Sequence, residues 1–245
     1  MRITEEGRRP LDMRILNLEK RIGDFQLKID DLTIEEGKIH GFIGGNGSGK
    51  TTAAKLIMDI LRPDAGRIEY GGLKLSDITM TSQRPYLLHD TVYANLVYPL
   101  KIRGIKPQEE RIREMLAMFG MQDKARQYAR SLSSGEQQKL SMLRAMIFEP
   151  KLLIIDETLS NMDPESVDKF EEMILDIQRK RPVTWIMISH RLSHLYRLCD
   201  RLHFFARGRV IASGTGDGIL FESSEPEIRR FMSKEMIAGK KETQE

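Results

Sequence analysis

Two short stretches of this sequence carry residue types suited to phosphate chemistry. Gly44-Gly45-Asn46-Gly47-Ser48-Gly49-Lys50-Thr51 has the spacing G-x-x-x-x-G-K-[ST] of a phosphate-cradling loop. Its glycines let backbone N–H groups turn toward an anion, and the helix expected to begin near Gly49 adds its positive end. Lys50 is placed to reach β- and γ-phosphates, the Thr51 hydroxyl to hold Mg2+, and Thr52 completes the nucleotide-binding run. About 100 residues later, an apolar run ends in Asp156-Glu157. At the carboxyl edge of a strand both side chains reach the mouth of a site. Asp156 suits Mg2+ through water, and Glu157 suits a general base for an attacking water. Alone, the first stretch also reads as a Gly-rich turn and the second as a strand with an acidic turn. Together they point to hydrolysis of a nucleoside triphosphate.

The elements that must position these groups follow from hydrophobic period. Residues 13–18 and 25–34 alternate as strands, and 38–43 reads as a buried strand feeding the glycine run. A helix is predicted from about Gly49 to about Leu61, where Pro63, Asp64 and Gly66 stop it. Residues 67–70 and 77–81 are further strands. From Thr91 to about Phe148 the spacing of Leu96, Leu100, Ile112, Met115, Leu116 and Phe119 is helical, which predicts an inserted helical subdomain over about 88–148. Strand 151–155, amphipathic helix 164–180 and strand 183–189 then restore the α/β alternation, and a last helix is expected near 226–236. Such alternation implies a parallel sheet covered on both faces.

The 245 residues carry 39 basic and 36 acidic side chains, interspersed, for a net charge of +3. That balance gives no clustered basic face for nucleic acid. One cysteine, Cys199, excludes an intramolecular disulfide and is expected as buried filler. No run approaches the ~20 apolar residues of a membrane span, so the chain is expected to be cytoplasmic and to meet a membrane only through a partner. Residues 1–12 read as an N-terminal extension, 13–240 as a single domain and 241–245 as a tail.

Further motifs make a specific likeness. Leu132-Ser133-Ser134-Gly135-Glu136-Gln137-Gln138-Lys139 resembles the signature of ATP-binding cassette (ABC) ATPases, usually LSGGQ or LSGGEQQR. Gln83 stands where that family has its Q-loop, Ser160-Asn161-Met162-Asp163 resembles its D-loop, and Ser189-His190-Arg191 its switch histidine. The resemblance implies a P-loop NTPase (RecA-like) α/β core with an N-terminal antiparallel β subdomain and an inserted helical subdomain. It also implies a homodimer of cassettes in which Ser133, Ser134, Gly135 and Glu136 of one subunit complete the ATP site of the other. Gln83 would join Thr51 and Asp156 at Mg2+, and Asp163 would act from the D-loop. His190 would act with Lys50 and Glu157 in catalysis. Two departures stand out: Ser134 replaces the usual first signature glycine, and Thr158 replaces the proline that commonly follows the catalytic glutamate. The aromatic that stacks on adenine is not evident, Phe25 being a candidate that could equally face the core.

Within the family, a single cassette with only about 80 residues between Lys50 and Ser133 is similar to the separate ATPase subunit of an importer. The stretch from Ser82 to Gly104 resembles the region that receives a membrane-subunit helix, with Tyr86, Leu87, Leu88, Val92 and Tyr93 as its expected apolar surface. A solute-binding protein would be an indirect partner, and the cargo an oxyanion or small polar solute. Two alternatives remain open: a soluble ABC ATPase that regulates a non-membrane partner, and a P-loop kinase acting on a small molecule.

Overall fold

The computed structural model describes residues 12–189 and 191–242, without the side chains at 160, 161 and 235–242. The first strands, β1 (Met13–Ile22) and β2 (Phe25–Ile34), form an antiparallel hairpin. Next come β3 (Ile39–Ile43), α1 (Lys50–Ile57), β4 (Ala65–Glu69) and β5 (Ile78–Thr81). Between β5 and the next strand the described elements are helical: α2 (Val92–Ile102), α3 (Glu109–Met118) and α4 (Ser134–Met146), with short turns of 3-10 helix. The chain continues through β6 (Leu152–Asp156), α5 (Pro164–Lys180), β7 (Thr184–Ile188) and α6 (Leu192–Leu198). It closes with β8 (Arg201–Ala206), β9 (Arg209–Gly214), α7 (Gly216–Leu220) and α8 (Pro226–Glu242).

The described strands make one sheet in the order β4-β1-β2-β9-β8-β3-β7-β6-β5. Strands β8, β3, β7, β6 and β5 are mutually parallel, while β1, β2 and β4 pair antiparallel. Every residue of β3, β6 and β7 is buried. The pleat divides their side chains between two cores: Leu152 and Ile154 pack with the β1–β2 hairpin and α1, whereas Leu153 and Ile155 pack with Phe170 of α5 and the helical insert. This is the α/β core with an antiparallel β flank that the motifs imply. Among the boundaries that differ from expectation, β1 runs to Ile22 rather than ending at Leu18. Helix α1 ends at Ile57 rather than Leu61, because Met58 caps it and Asp59 turns left-handed at φ 55. Helix α8 runs to Glu242, through the first two residues of the expected tail, and residues 1–11 and 243–245 lie outside the described residues.

Strand order puts β7 between β3 and β6, so the loop after β3 and the carboxylates after β6 open at the same carboxyl edge. Behind that edge, His40 of β3 and His203 of β8 stack with ring centroids 5.2 Å apart and share a 2.9 Å Nδ1–Nε2 hydrogen bond. His40 Nε2 lies 3.2 Å from the Glu35 carbonyl, which can only accept. With both rings neutral, His40 therefore donates from Nε2 and accepts from His203 Nε2–H, and the Ser213 hydroxyl donates to His203 Nδ1 at 2.8 Å. Burial lowers the pKa of His40 and pushes that of His203 down to about 3. Unfolded rings take up protons near pH 6.5. The pair's contribution is thus present above that pH and is lost as pH falls toward the folded values. One such ring costs about 2 kcal/mol of stability between pH 6.5 and 5. The urea midpoint should fall from pH 7 to pH 5, and fall less in His203→Phe.

Candidate functional site

The phosphate loop is a strand-to-helix turn held from outside. At Gly44, φ is 136 and an added Cβ would lie 2.0 Å from the Phe205 carbonyl oxygen. At Gly49, φ is 111 and a Cβ would press on Leu27 at 2.7 Å and Phe25 at 3.1 Å. Both positions need glycine because backbone and side chains of β8 and β2 approach so closely. The turn after β8 fastens the loop, with Gly208 N–H donating to the Ser48 carbonyl at 3.0 Å. Lys50 opens α1 and is 5% exposed. Its ammonium curls back over the loop, donating to Gly44 O at 2.8 Å and Gly45 O at 3.0 Å. Burial lowers its pKa, against the pull of the Glu157 and Asp156 carboxylates.

Thr51 Oγ1 donates to both oxygens of Asp156, at 3.1 and 3.0 Å. Burial raises the Asp156 pKa, the Thr51 hydrogen bond opposes that, and the neighbouring Glu157 charge adds to it. A hydroxyl and a carboxylate in contact are hard oxygen donors that fit Mg2+. Glu157 has φ 52, a left-handed conformation costing a non-glycine about 1–2 kcal/mol. Its N–H is anchored on the Ile188 carbonyl of β7 at 2.9 Å. A cleft of about 300 Å3 is lined by Phe25, Asn46, Gly47, Ser48, Gly49, Lys50, Thr51, Thr52 and Glu157. A larger cleft of about 610 Å3 runs along the other side of the loop, against Arg207 and Arg230. None of Lys50, Thr51, Asp156 or Glu157 lines it, so the smaller cleft is the one equipped for phosphate chemistry.

The remaining sequence candidates sit apart from that cleft within this chain. Ser133 caps α4, its hydroxyl accepting from Glu136 N–H while Glu136 Oε2 accepts from Ser133 N–H at 2.9 Å. Ser134 is exposed at the first turn beside Gly135. Glu136 is also paired with Lys124, which holds its carboxyl below the usual range. Asp163 caps α5 through Ser166 and bridges to Lys139 of α4 at 3.1 Å, tying the signature helix to the D-loop. Gln83 is exposed, its carbonyl held by the Gln138 side chain of α4. His190 lies outside the described residues. Of the apolar surface expected after Gln83, Leu87 and Val92 are instead core residues of the helical insert, and Leu88 and Tyr93 are half-buried. Tyr86 is 76% exposed, and Tyr98 and Ile102 of α2 are exposed as well. Arg144 of α4 donates to the Tyr86 carbonyl.

Two residues gain a role only from the structure. Phe25, the aromatic whose direction was open, stands at the start of β2 and lines the cleft beside Gly49. Its signal was being an aromatic at a strand edge. Thr158 is fully buried, and its hydroxyl meets that of Thr81 at the end of β5. Cys199, expected as buried filler, is half-buried against the core, its Sγ tucked over Gly41 where desolvation raises its pKa.

A family model described as ABC transporter matches residues 27–160. The tungstate uptake system ATP-binding protein TupC of Peptoclostridium acidaminophilum is 37% identical over 215 residues, spanning 85% of this chain and 99% of the relative. The methionine import ATP-binding protein MetN 1 of Listeria monocytogenes serotype 4b (strain F2365) is 31% identical over 220 residues, 83% of this chain but 65% of the relative. Among solved structures, an ATP binding subunit of an ABC transporter shares the fold with a TM-score of 0.80 at 24% identity, over 91% of this chain and 99% of that one. The structure of cbiO1 from Clostridium perfringens, part of the ABC transporter complex cbiONQ, aligns with a TM-score of 0.70 at 25% identity, over 89% of this chain and 92% of that one.

Proposed function

Since the chain belongs to the ABC transporter family as an ATP-binding, ATP-hydrolysing subunit, we propose that two copies pair head to tail around two ATP molecules to drive import of a small oxyanion through separate membrane subunits. The observation that carries the hydrolytic reading is the Thr51–Asp156 contact at 3.0 Å, one residue from Glu157 and beside the Lys50 loop. Lys50 binds the β- and γ-phosphates, and residues 44–49 supply N–H donors along the chain of oxygens. Thr51 and Asp156 would hold Mg2+, with Gln83 as a further ligand, and the ion would neutralise charge on the phosphate oxygens. Glu157 takes a proton from water, and His190 acts on the γ-phosphate side. Phe25 offers its ring to adenine.

The dimer reading is favoured by the placement of Ser133 and Ser134. They stand exposed at the amino end of α4, where N–H groups favour phosphate, and outside their own chain's cleft. Ser134 narrows the approach there by one hydroxymethyl group. Asp163 adjoins this surface through Lys139. No helix among the described residues is long and apolar enough to cross a membrane. In the proposed assembly the membrane path is a permease's, and the cassettes sit on its inner face. Exposed Tyr86, Tyr98 and Ile102 fit its docking helix, and the Arg144–Tyr86 bond links that face to the signature helix. The oxyanion reading rests on the tungstate relative, which matches nearly end to end. A solute-binding protein would deliver the cargo.

Capture of the tagged chain from detergent-solubilised membranes of its native cell tests this. A multi-span permease should come with it, and ATP turnover of the reconstituted complex should rise with tungstate-loaded binding protein and not with methionine. Recovery from the soluble fraction alone, without a membrane subunit, would overturn the transport reading and favour regulation of a soluble partner.

A further inference from the structure

Glu157 must hold its carboxylate still in a backbone conformation that non-glycine residues avoid, and the contacts that hold it there are specific. The peptide joining Asp156 to Glu157 is pinned at both ends. Its N–H donates to Ile188 O at 2.9 Å, and its carbonyl, that of Asp156, accepts from Thr158 Oγ1 at 3.3 Å. Thr158 Oγ1 also lies 2.7 Å from Thr81 Oγ1, and both side chains are buried. A hydroxyl has one proton to give. Thr158 spends its proton on the Asp156 carbonyl, which can only accept, so Thr81 must donate to Thr158. The result is a directed chain, Thr81 to Thr158 to Asp156 O, sealed from water. It closes the turn around Glu157 from the side opposite β7.

Thr81 is the last residue of β5, two positions before Gln83. The loop it leads into is grasped by α4 at the carbonyls of Gln83 and Tyr86. A proline at 158 could offer no hydroxyl to this chain. We propose that Thr158 is a positioning residue for Glu157, and that Thr81 makes that positioning depend on where the end of β5 stands. The proposal rests on Glu157 being the base. The Thr81 and Thr158 side chains are buried and do not line the cleft; they act through the backbone on the Glu157 carboxylate.

Steady-state ATP turnover of the full chain tests it, with Thr158→Val, Thr81→Val and the double variant, each of which keeps the side-chain shape and removes a hydroxyl. Each single change should lower kcat about tenfold, the scale of one misplaced contact to a reacting group, with KM for ATP within about twofold. The double variant should be no slower than the worse single one, since both break one chain. Thr158→Ser should restore kcat. Multiplied effects in the double variant, a KM that rises in step with the loss, or failure of serine to restore would each overturn the proposal. Should Thr158→Val not fold, Thr81→Val together with Thr158→Ser reads the same chain from its other end. Glu157→Gln in the same assay separates the two claims. If it turns over ATP within about tenfold of the wild type, the base assignment falls. If it is inactive while both valine variants match the wild type, the positioning claim alone falls.

Discussion

Glu157→Gln should reduce ATP turnover by about a thousandfold while leaving ATP binding close to wild type. A positioned general base supplies on the order of 10²–10⁴ in rate, and the amide keeps the shape of the carboxylate without being able to take the proton. Its backbone conformation and its anchor on Ile188 do not involve the side chain, so both survive the substitution. ATP contacts through Lys50, Thr51 and the loop N–H groups also survive. If two cassettes close on ATP and open only after hydrolysis, this variant accumulates as the closed pair, and light scattering should read twice the monomer mass with Mg·ATP and one monomer mass without nucleotide. Adding Ser133→Arg should return it to monomer. That change puts a long cation at the exposed cap of α4, and its cost to the chain itself is one helix cap, about 1 kcal/mol. A Glu157→Gln chain that stays monomeric at saturating ATP would remove the trans-dimer mechanism and favour the kinase alternative.

How much of this was legible beforehand depended on distance along the chain. The glycine loop, β3 before it and the carboxylates after β6 are local patterns, and each lies where its pattern puts it. The end of α1 misled because Pro63 is a visible stop, whereas the real stop is Asp59 taking a left-handed turn that aspartate can adopt without announcing it. Leu87 and Val92 resemble a docking patch in the sequence, as apolar residues beside a loop do, but they fill the core of the insert, and of the five only Tyr86 is exposed. Phe25 could not be oriented from sequence, since its position depends on Gly49, more than twenty residues on and in another element. Position 158 was visible as a departure, but its partner Thr81 is 77 residues away. Side chains that join distant strand ends leave no periodic trace.

Lys50→Met should weaken ATP binding by two to three orders of magnitude and change the melting temperature little. Two charge-assisted hydrogen bonds to phosphate oxygens are worth about 1.5–3 kcal/mol each, and methionine reaches as far as lysine without offering either. Against this stands the ground state described here, in which the ammonium already bonds Gly44 O and Gly45 O. Moving to phosphate exchanges neutral acceptors for charged ones, so the net gain is smaller than the gross strength, which sets the lower end of the expected range. For stability, the substitution leaves two carbonyls without this donor, a cost of order 1–3 kcal/mol. It also relieves the burial of a charged group, the same desolvation that lowers the pKa of Lys50. These two effects oppose each other, so melting should shift by a few degrees at most, in contrast to the loss of affinity read by calorimetric titration with ATP. Lys50→Arg should not recover binding, because a planar guanidinium cannot fold into a loop that encloses a side chain 5% exposed. Affinity in Lys50→Met within a factor of five of the wild type would mean the ammonium remains on its own carbonyls with ATP present, leaving phosphate recognition to the N–H groups of the loop.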